Sequence, residues 1–329
     1  MTGRIIKGVR EFFDVYIEDG KFAGQIIRCN SKGVFRFERG SIRPLVGDAV
    51  DVALNRDVAD VGITAKNKAE ALGRIEKIHG RRNFLVRPPI ANLDILFIVA
   101  AVKAPAPAYY FIDKLTACAI YNKIEPVIIA NKIDLLGDGE ACGLYDIYSR
   151  AGFRTVRMSA VAEGEAGLDE IRQAMRGMTC AFAGVSGTGK SSILNRLFDG
   201  LDLKTGALSE KIARGKHTTR AVELFRHDMD GYAADTPGFS MLDFDYVDVG
   251  KNLEKDKRDK DSSYDIIREE LVHIFPDLFE YAYDCRYRKC THLREDGCRV
   301  LAAVAEGAVA GSRHESYVEL YGYLDKKKV

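Results

Sequence analysis

The stretch Cys180-Ala181-Phe182-Ala183-Gly184-Val185-Ser186-Gly187-Thr188-Gly189-Lys190-Ser191-Ser192 decides the fold. Its first four residues form a continuous apolar run, the pattern of a strand buried on both faces of a parallel sheet. The run ends in Gly-x4-Gly-Lys-Ser, Gly184 to Ser191, where glycines let backbone N–H groups curl around phosphate oxygens at the start of a helix. Lys190 is then placed for the β- and γ-phosphates, with the Ser191 hydroxyl on magnesium and Ser192 beside it. A chance glycine-rich turn is the competing reading, and the strand before the motif argues against it.

Upstream, Asp94–Val99 and Glu125–Ala130 are two more buried strands, separated by the helically spaced Ile112–Tyr121, and Tyr232–Asp235 supplies another downstream. Strands alternating with helices predict a mostly parallel sheet covered on both faces. At the carboxyl end of Glu125–Ala130, where such sheets bind ligands, stands Asn131-Lys132-Ile133-Asp134. A carboxylate at Asp134 accepts from guanine N1–H and the 2-amino group, whereas adenine offers neither donor. Asn131 is expected on the opposite base edge, and the Lys132 stem over its face. Ser159-Ala160, after the short strand Thr155–Met158, is a candidate to offer N–H groups to guanine O6. A P-loop ATPase or kinase requires Asp134 to be irrelevant to base choice.

Asp235-Thr236-Pro237-Gly238 places a carboxylate near magnesium and a glycine N–H near the γ-phosphate. Between it and the phosphate loop lies Gly215-Lys216-His217-Thr218-Thr219-Arg220, where Thr218 or Thr219 supplies a hydroxyl to magnesium. The residue after Gly238, where many GTPases carry a water-orienting glutamine, is Phe239, which makes His217 the nearest candidate to position water and predicts slow intrinsic turnover. An ordinary GTPase has its phosphate loop first and Asn-Lys-x-Asp late. Here Asn131–Asp134 and Ser159-Ala160 precede Gly184–Ser191, a circular permutation that leaves pocket chemistry intact because loops need adjacency in space only.

The chain is 329 residues long, which suggests more than one domain. Residues 1–72 carry short β-type runs, Val15–Ile17, Gln25–Ile27, Gly33–Phe37 and Pro44–Val52, between turn signals; a five-stranded barrel of the OB type fits this length, and other small barrels remain open. Residues 73–242 are assigned to the nucleotide domain and 243–329 to a helical C-terminal domain. In the latter, Cys285-x4-Cys290-x-His292-x5-Cys298 is a Cys3His set suited to one tetrahedral structural zinc. Arg286, Arg288 and Lys289 beside Tyr287 are compatible with RNA contact and equally with a solvated rim. Lys251–Asp261 reads as a charged linker or helix face. An apolar content of 47% with 29% charged residues excludes disorder, and a net charge of +1 gives no global pull toward nucleic acid or membrane. Met1–Arg10 shows no signal-peptide run and Ile95–Val102 is too short to span a bilayer, so a cytoplasmic protein without membrane contact is expected, with a monomer as default.

Motif order and the terminal cysteine spacing together resemble one family closely, the bacterial small ribosomal subunit-dependent GTPases of the RsgA (YjeQ/YloQ) type. Further likenesses are Ala91-Asn92-Leu93-Asp94, the Gly215–Arg220 segment and Gly311–Tyr317; the match spans essentially the whole chain. Leu93 and Ile95 depart from the family's usual Val and Gln, and Lys251–Asp261 is an additional insertion. The resemblance implies an OB-fold barrel, a permuted P-loop GTPase domain and a zinc domain that bind the small subunit and its rRNA late in maturation, with GTP hydrolysis to GDP stimulated by the subunit and coupled to release. An RNA-binding assembly factor in which GTP is mainly a conformational staple is the rival that Phe239 keeps open.

Overall fold

The computed structural model describes residues 1–31, 43–55, 71–85, 88–162, 164, 166–198, 222–227, 229–234 and 268–326. The expected strand Gly33–Phe37, the segments Gly215–Arg220 and Asp235–Phe239, and the charged run Lys251–Asp261 lie outside them.

The chain opens with β1 (Thr2–Val9), β2 (Phe12–Ile17), β3 (Ile26–Ser31), β4 (Ala49–Leu54) and β5 (Gly73–Ile78), closed into a barrel in the order β1-β2-β3-β5-β4. The β3–β5 pairing is parallel and the others are antiparallel. Alternation fills the barrel: Phe13, Val15 and Ile17 of β2 are buried, as are Ile27 and Cys29 of β3. A register irregularity between Ile5 and Lys7 lets the consecutive Ile5 and Ile6 both be buried. The fifth strand runs past the boundary expected at residue 72. Its sequence, Gly-Arg-Ile-Glu-Lys-Ile, turns only Gly73 and Ile75 inward and so carries a weak apolar signal.

A two-stranded hairpin, β6 (Phe84–Leu85) with β7 (Ile90–Ala91), leads to a six-stranded sheet. The sheet comprises β8 (Ile95–Ala101), β9 (Glu125–Asn131), β10 (Arg154–Arg157), β11 (Thr179–Ala183), β12 (Leu224–Arg226) and β13 (Tyr232–Ala234) in the order β10-β9-β8-β11-β13-β12. Only β12 runs antiparallel to its neighbour. The phosphate-loop strand β11 thus sits between β8, which precedes it in the chain, and β13, which follows it. Ile95, Phe97 and Val99 of β8 pack with α3 (Ala166–Met175) and α4 (Lys190–Leu197). Leu96, Ile98 and Ala100 pack on the other face with α1 (Tyr109–Tyr121) and α2 (Gly143–Arg150). Every residue of β8 is therefore buried, as a two-faced strand requires.

The Asn92 motif joins barrel to sheet. Asn92 adopts φ 57°, donates its amide to the Gly47 carbonyl at 3.1 Å and accepts from the Arg82 N–H at 2.9 Å. Gly47 lies so close to this joint that a Cβ would stand 2.0 Å from the Ala91 carbonyl. Asp94 accepts the Thr179 N–H at 2.8 Å, fixing the start of β11 to the same corner. A second joint lies at β12 and β13. The Tyr232 hydroxyl donates to Glu18 at 2.9 Å beneath the Arg4 guanidinium, Arg226 covers the Tyr16 ring, and Lys7 pairs with Glu223 at 2.7 Å.

The C-terminal module comprises a 3-10 turn (Leu271–Ile274), α5 (Pro276–Ala282), α6 (Arg299–Ala305) and α7 (Gly311–Lys326). It is continuous with the core, because α7 packs on α1. At that contact Arg313, wholly buried, donates to Asp113 of α1 at 2.6 Å and to both carboxylate oxygens of Asp277 at 2.7 and 3.1 Å. Tyr148 of α2 donates to Asp113 at 2.7 Å.

Candidate nucleotide site and metal centre

Three loops meet at the carboxyl ends of β9, β10 and β11. The phosphate loop leaves β11 through Gly184 at φ 153°, where a Cβ would stand 2.3 Å from the Val99 carbonyl. It enters α4 through Gly189 at φ 93°, with no side chain capping the first N–H groups. A helix start left open in this way favours an anion. The Lys190 ammonium folds back onto the Gly184 carbonyl at 2.9 Å, and burial lowers its pKa. Thr188 is buried and donates its hydroxyl to the Val185 carbonyl at 3.0 Å, while Ser186 and Gly187 at the tip are exposed. Ser191 and Ser192 occupy the first turn of α4 and are partly exposed.

Asn131 ties the loops together. It is fully buried, donates to the Thr188 carbonyl at 2.7 Å and accepts the Ala160 N–H at 3.0 Å. The expected contact of Asn131 with the base therefore has at most its second amide N–H to draw on, and its principal work is to join the phosphate loop to the Ser159-Ala160 loop. The reason is that a buried amide oxygen needs a donor, and the Ala160 N–H is the one in reach. Lys132 takes the left-handed conformation, φ 66°, and its ammonium donates to the Ala104 carbonyl. This turns Ile133 into a short 3-10 turn and leaves Asp134 exposed, its carboxylate accepting from the Ser159 hydroxyl. All three recognition elements are thus brought together, while His217, Thr218, Thr219, Asp235 and Gly238 lie outside the described residues.

One participant was not flagged by the sequence. Arg196, near the end of α4, donates to the carbonyls of Ser159 and Ala162, both at 3.2 Å, and of Gly164 at 2.9 Å. Its only sequence signal is its place on the helix that the phosphate loop opens, and loop carbonyls leave no mark in sequence.

The metal-ligand set of Cys285, Cys290, His292 and Cys298 converges, its four ligand atoms all within 4.8 Å of one another. Cys285 Sγ lies 3.9 Å from Cys298 Sγ and 3.5 Å from His292 Nδ1, and Cys298 Sγ lies 3.6 Å from the same nitrogen. An ion with metal–sulfur bonds of ~2.3 Å holds tetrahedral ligands roughly 3.8 Å apart, so the set fits one closed four-coordinate ion. The Arg299 N–H at the start of α6 donates to Cys285 Sγ at 3.3 Å. Burial holds the His292 imidazole below its usual pKa, in the neutral form a metal needs. His292 itself sits at φ 59°, and its carbonyl is held by His314 of α7 at 2.7 Å, so the Gly311–Tyr317 motif supports the metal loop from behind. The remaining cysteines, Cys29, Cys118, Cys142 and Cys180, are buried and form no disulfide, the thiol of Cys29 pushed up to about 12 by burial.

Comparison with known proteins places this geometry among its relatives. The family model described as RsgA GTPase matches residues 78–245, and that of the RsgA N-terminal domain matches residues 2–60. Proteins named small ribosomal subunit biogenesis GTPase RsgA are similar along the whole chain. The one from Caldanaerobacter subterraneus is 38% identical, covering 100% of this chain and 97% of its own, and that from Agathobacter rectalis 35%, covering 100% and 99%. Among solved structures, YloQ, described as a circularly permuted GTPase, superposes with a TM-score of 0.72 at 29% identity over 100% of this chain and 96% of its own. YjeQ from Thermotoga maritima gives 0.72 at 30%, covering 98% of each. Among the described residues, no helix is long and apolar enough to cross a membrane.

Proposed function

The chain belongs to the RsgA family of circularly permuted GTPases and is a GTP-hydrolysing enzyme; from that premise we propose that it binds the small ribosomal subunit, acts late in its maturation and is released when the subunit stimulates hydrolysis. The observation that carries the proposal is the end-to-end similarity to small-subunit biogenesis GTPases, barrel and metal module included, on a chain whose three nucleotide loops assemble in space. GTP turnover measured with and without isolated small subunits tests it.

In this reading Gly184–Ser192 holds the phosphates, Asp134 selects guanine, and the Ser159-Ala160 loop faces O6. Ser191, with Asp235 and Thr218 or Thr219, would hold a magnesium ion, which would supply charge neutralisation to the transferring phosphoryl group. His217 positions water, and Gly238 meets the γ-phosphate. With Phe239 where many GTPases have glutamine, intrinsic turnover is slow and the subunit supplies what is missing. In the sequence these switch residues flank β12 and β13, the strands that contact Tyr16, Glu18 and Arg4 of the barrel. The protein works as a cytoplasmic monomer whose partners are the small subunit with its rRNA and guanine nucleotide.

The ion at Cys285, Cys290, His292 and Cys298 is zinc, since three thiolates and an imidazole with no open position are the donor set of structural zinc. Elemental analysis of the purified protein is expected to give one zinc per chain. Chelation is expected to unfold Cys285–Cys298 and with it the support of His314, seen as fast hydrogen exchange across the loop. Metal content far below one per chain in protein that still shows a protected loop would remove the assignment.

A further inference from the structure

Arg196 carries an inference that deepens the nucleotide reading and rests on it. The loop from Ser159 to Gly164 organises one side of itself: the Ser159 hydroxyl accepts the N–H groups of Val161 and Ala162 at 3.3 and 3.1 Å. Its carbonyls at Ser159, Ala162 and Gly164 turn to the Arg196 guanidinium instead, which gathers all three. Arginine suits the task, since its planar fork offers five donors in fixed directions and no acceptor. Arg196 is fixed in turn, because its own carbonyl accepts from Arg172 at 3.2 Å, and Arg172 lies on α3, the helix that follows the loop. Helices α3 and α4 therefore brace the loop from both ends.

The geometry of α4 gives this brace a consequence for the site. Lys190 is the first residue of the helix and Arg196 the seventh, so about 9 Å of rigid helix separates the phosphate end from the clamp. One element thus sets the phosphate loop and, through Arg196, the height of the loop bearing Ala160. The same loop is held on its inner side by the Ala160 N–H to Asn131 contact at 3.0 Å. We propose that Arg196 is a positioning residue for guanine selection: by holding the carbonyls of Ser159, Ala162 and Gly164 it sets the Ser159-Ala160 backbone at the height of the 6-oxygen of the base, where the Ala160 N–H is shared between Asn131 and that oxygen, without touching nucleotide itself.

The test compares GTP with two analogues in the full-length protein. In 6-thio-GTP the strong acceptor at position 6 is replaced by sulfur while N1–H and the 2-amino group remain; ITP keeps the 6-oxygen and lacks the 2-amino group. In wild type, both are expected to bind more weakly than GTP. In Arg196→Ala, the GTP over 6-thio-GTP preference is expected to fall about tenfold, the loss of one well-placed hydrogen bond. The GTP over ITP preference, which reports Asp134, is expected to be unchanged; KM for GTP rises with kcat within twofold. Arg196→Lys, which keeps the charge and reaches fewer carbonyls, recovers part of the preference and serves where the alanine variant folds poorly. A preference at position 6 that is equal in wild type and both variants overturns the role of Arg196. Absence of that preference in wild type overturns the assignment of Ser159-Ala160 to the base, and the inference with it. Equal loss of both preferences in the variants would mean general damage to the pocket and also overturns the specific role.

Discussion

Arg313→Ala is expected to destabilise the protein by about 3–5 kcal/mol, the cost of leaving buried carboxylates without their cation. Arg313 is the largest fully buried side chain among the described residues, and its guanidinium lies between Asp113 and Asp277 and near the rings of Phe275, Phe153 and Tyr148, at 4.8, 5.1 and 5.6 Å. Burial raises the pKa of Asp113, and the charge of Arg313 is the largest of the effects that oppose that rise, ahead of the hydrogen bonds from Ser316 and Tyr148. Without it, Asp113 takes up a proton or admits water, and either outcome loosens the contact between α1 and α7. Urea unfolding should show the lowered midpoint, and hydrogen exchange should rise in both helices. Arg313→Lys is expected to lose less, since one ammonium can pair with one carboxylate and cannot fork to both. A loss under about 1 kcal/mol for the alanine variant would show that the cluster is not the tie between the C-terminal module and the nucleotide domain.

Asp134→Asn is expected to weaken GTP binding by about 10²–10⁴-fold, from two hydrogen bonds to a charged acceptor worth ~1.5–3 kcal/mol each. It should at the same time favour xanthosine triphosphate, whose 2-oxygen accepts from an amide where the guanine 2-amino group repels it. The structure makes the exchange a fair test, because Asp134 is exposed and its recorded partner is the hydroxyl of Ser159, which serves an amide oxygen as well as a carboxylate. Competition binding with GTP, XTP and ATP reads the outcome, and an unchanged base preference would remove Asp134 from base selection.

Much of this fold is written locally. The apolar run Cys180–Ala183 running into Gly184 announces a two-faced strand and an anion-binding helix start, and β11 and α4 form there. The alternation in Phe12–Ile17 puts Phe13, Val15 and Ile17 inside the barrel. The cysteine spacing defines a metal set because ligand type and separation are themselves the chemistry. The fifth barrel strand escaped because Arg74, Glu76 and Lys77 mask its two inward positions. Long-range polar joints leave no local trace at all. Asp113 and Arg313 are 200 positions apart, and each alone reads as an ordinary surface charge on a helix. Asn131 was legible as part of the base-reading loop, yet its clamp between Thr188 and Ala160 follows only from burial, which demands partners for both ends of its amide.

If the small ribosomal subunit sets the turnover of this GTPase, hydrolysis measured with isolated subunits reads it out. Purified protein alone should hydrolyse GTP slowly and ATP negligibly. Small subunits should raise the GTP rate by more than an order of magnitude, large subunits should not, and the protein should leave the small subunit as GDP accumulates. GTP turnover that is unmoved by small subunits, or moved equally by large ones, would contradict that control by the small subunit.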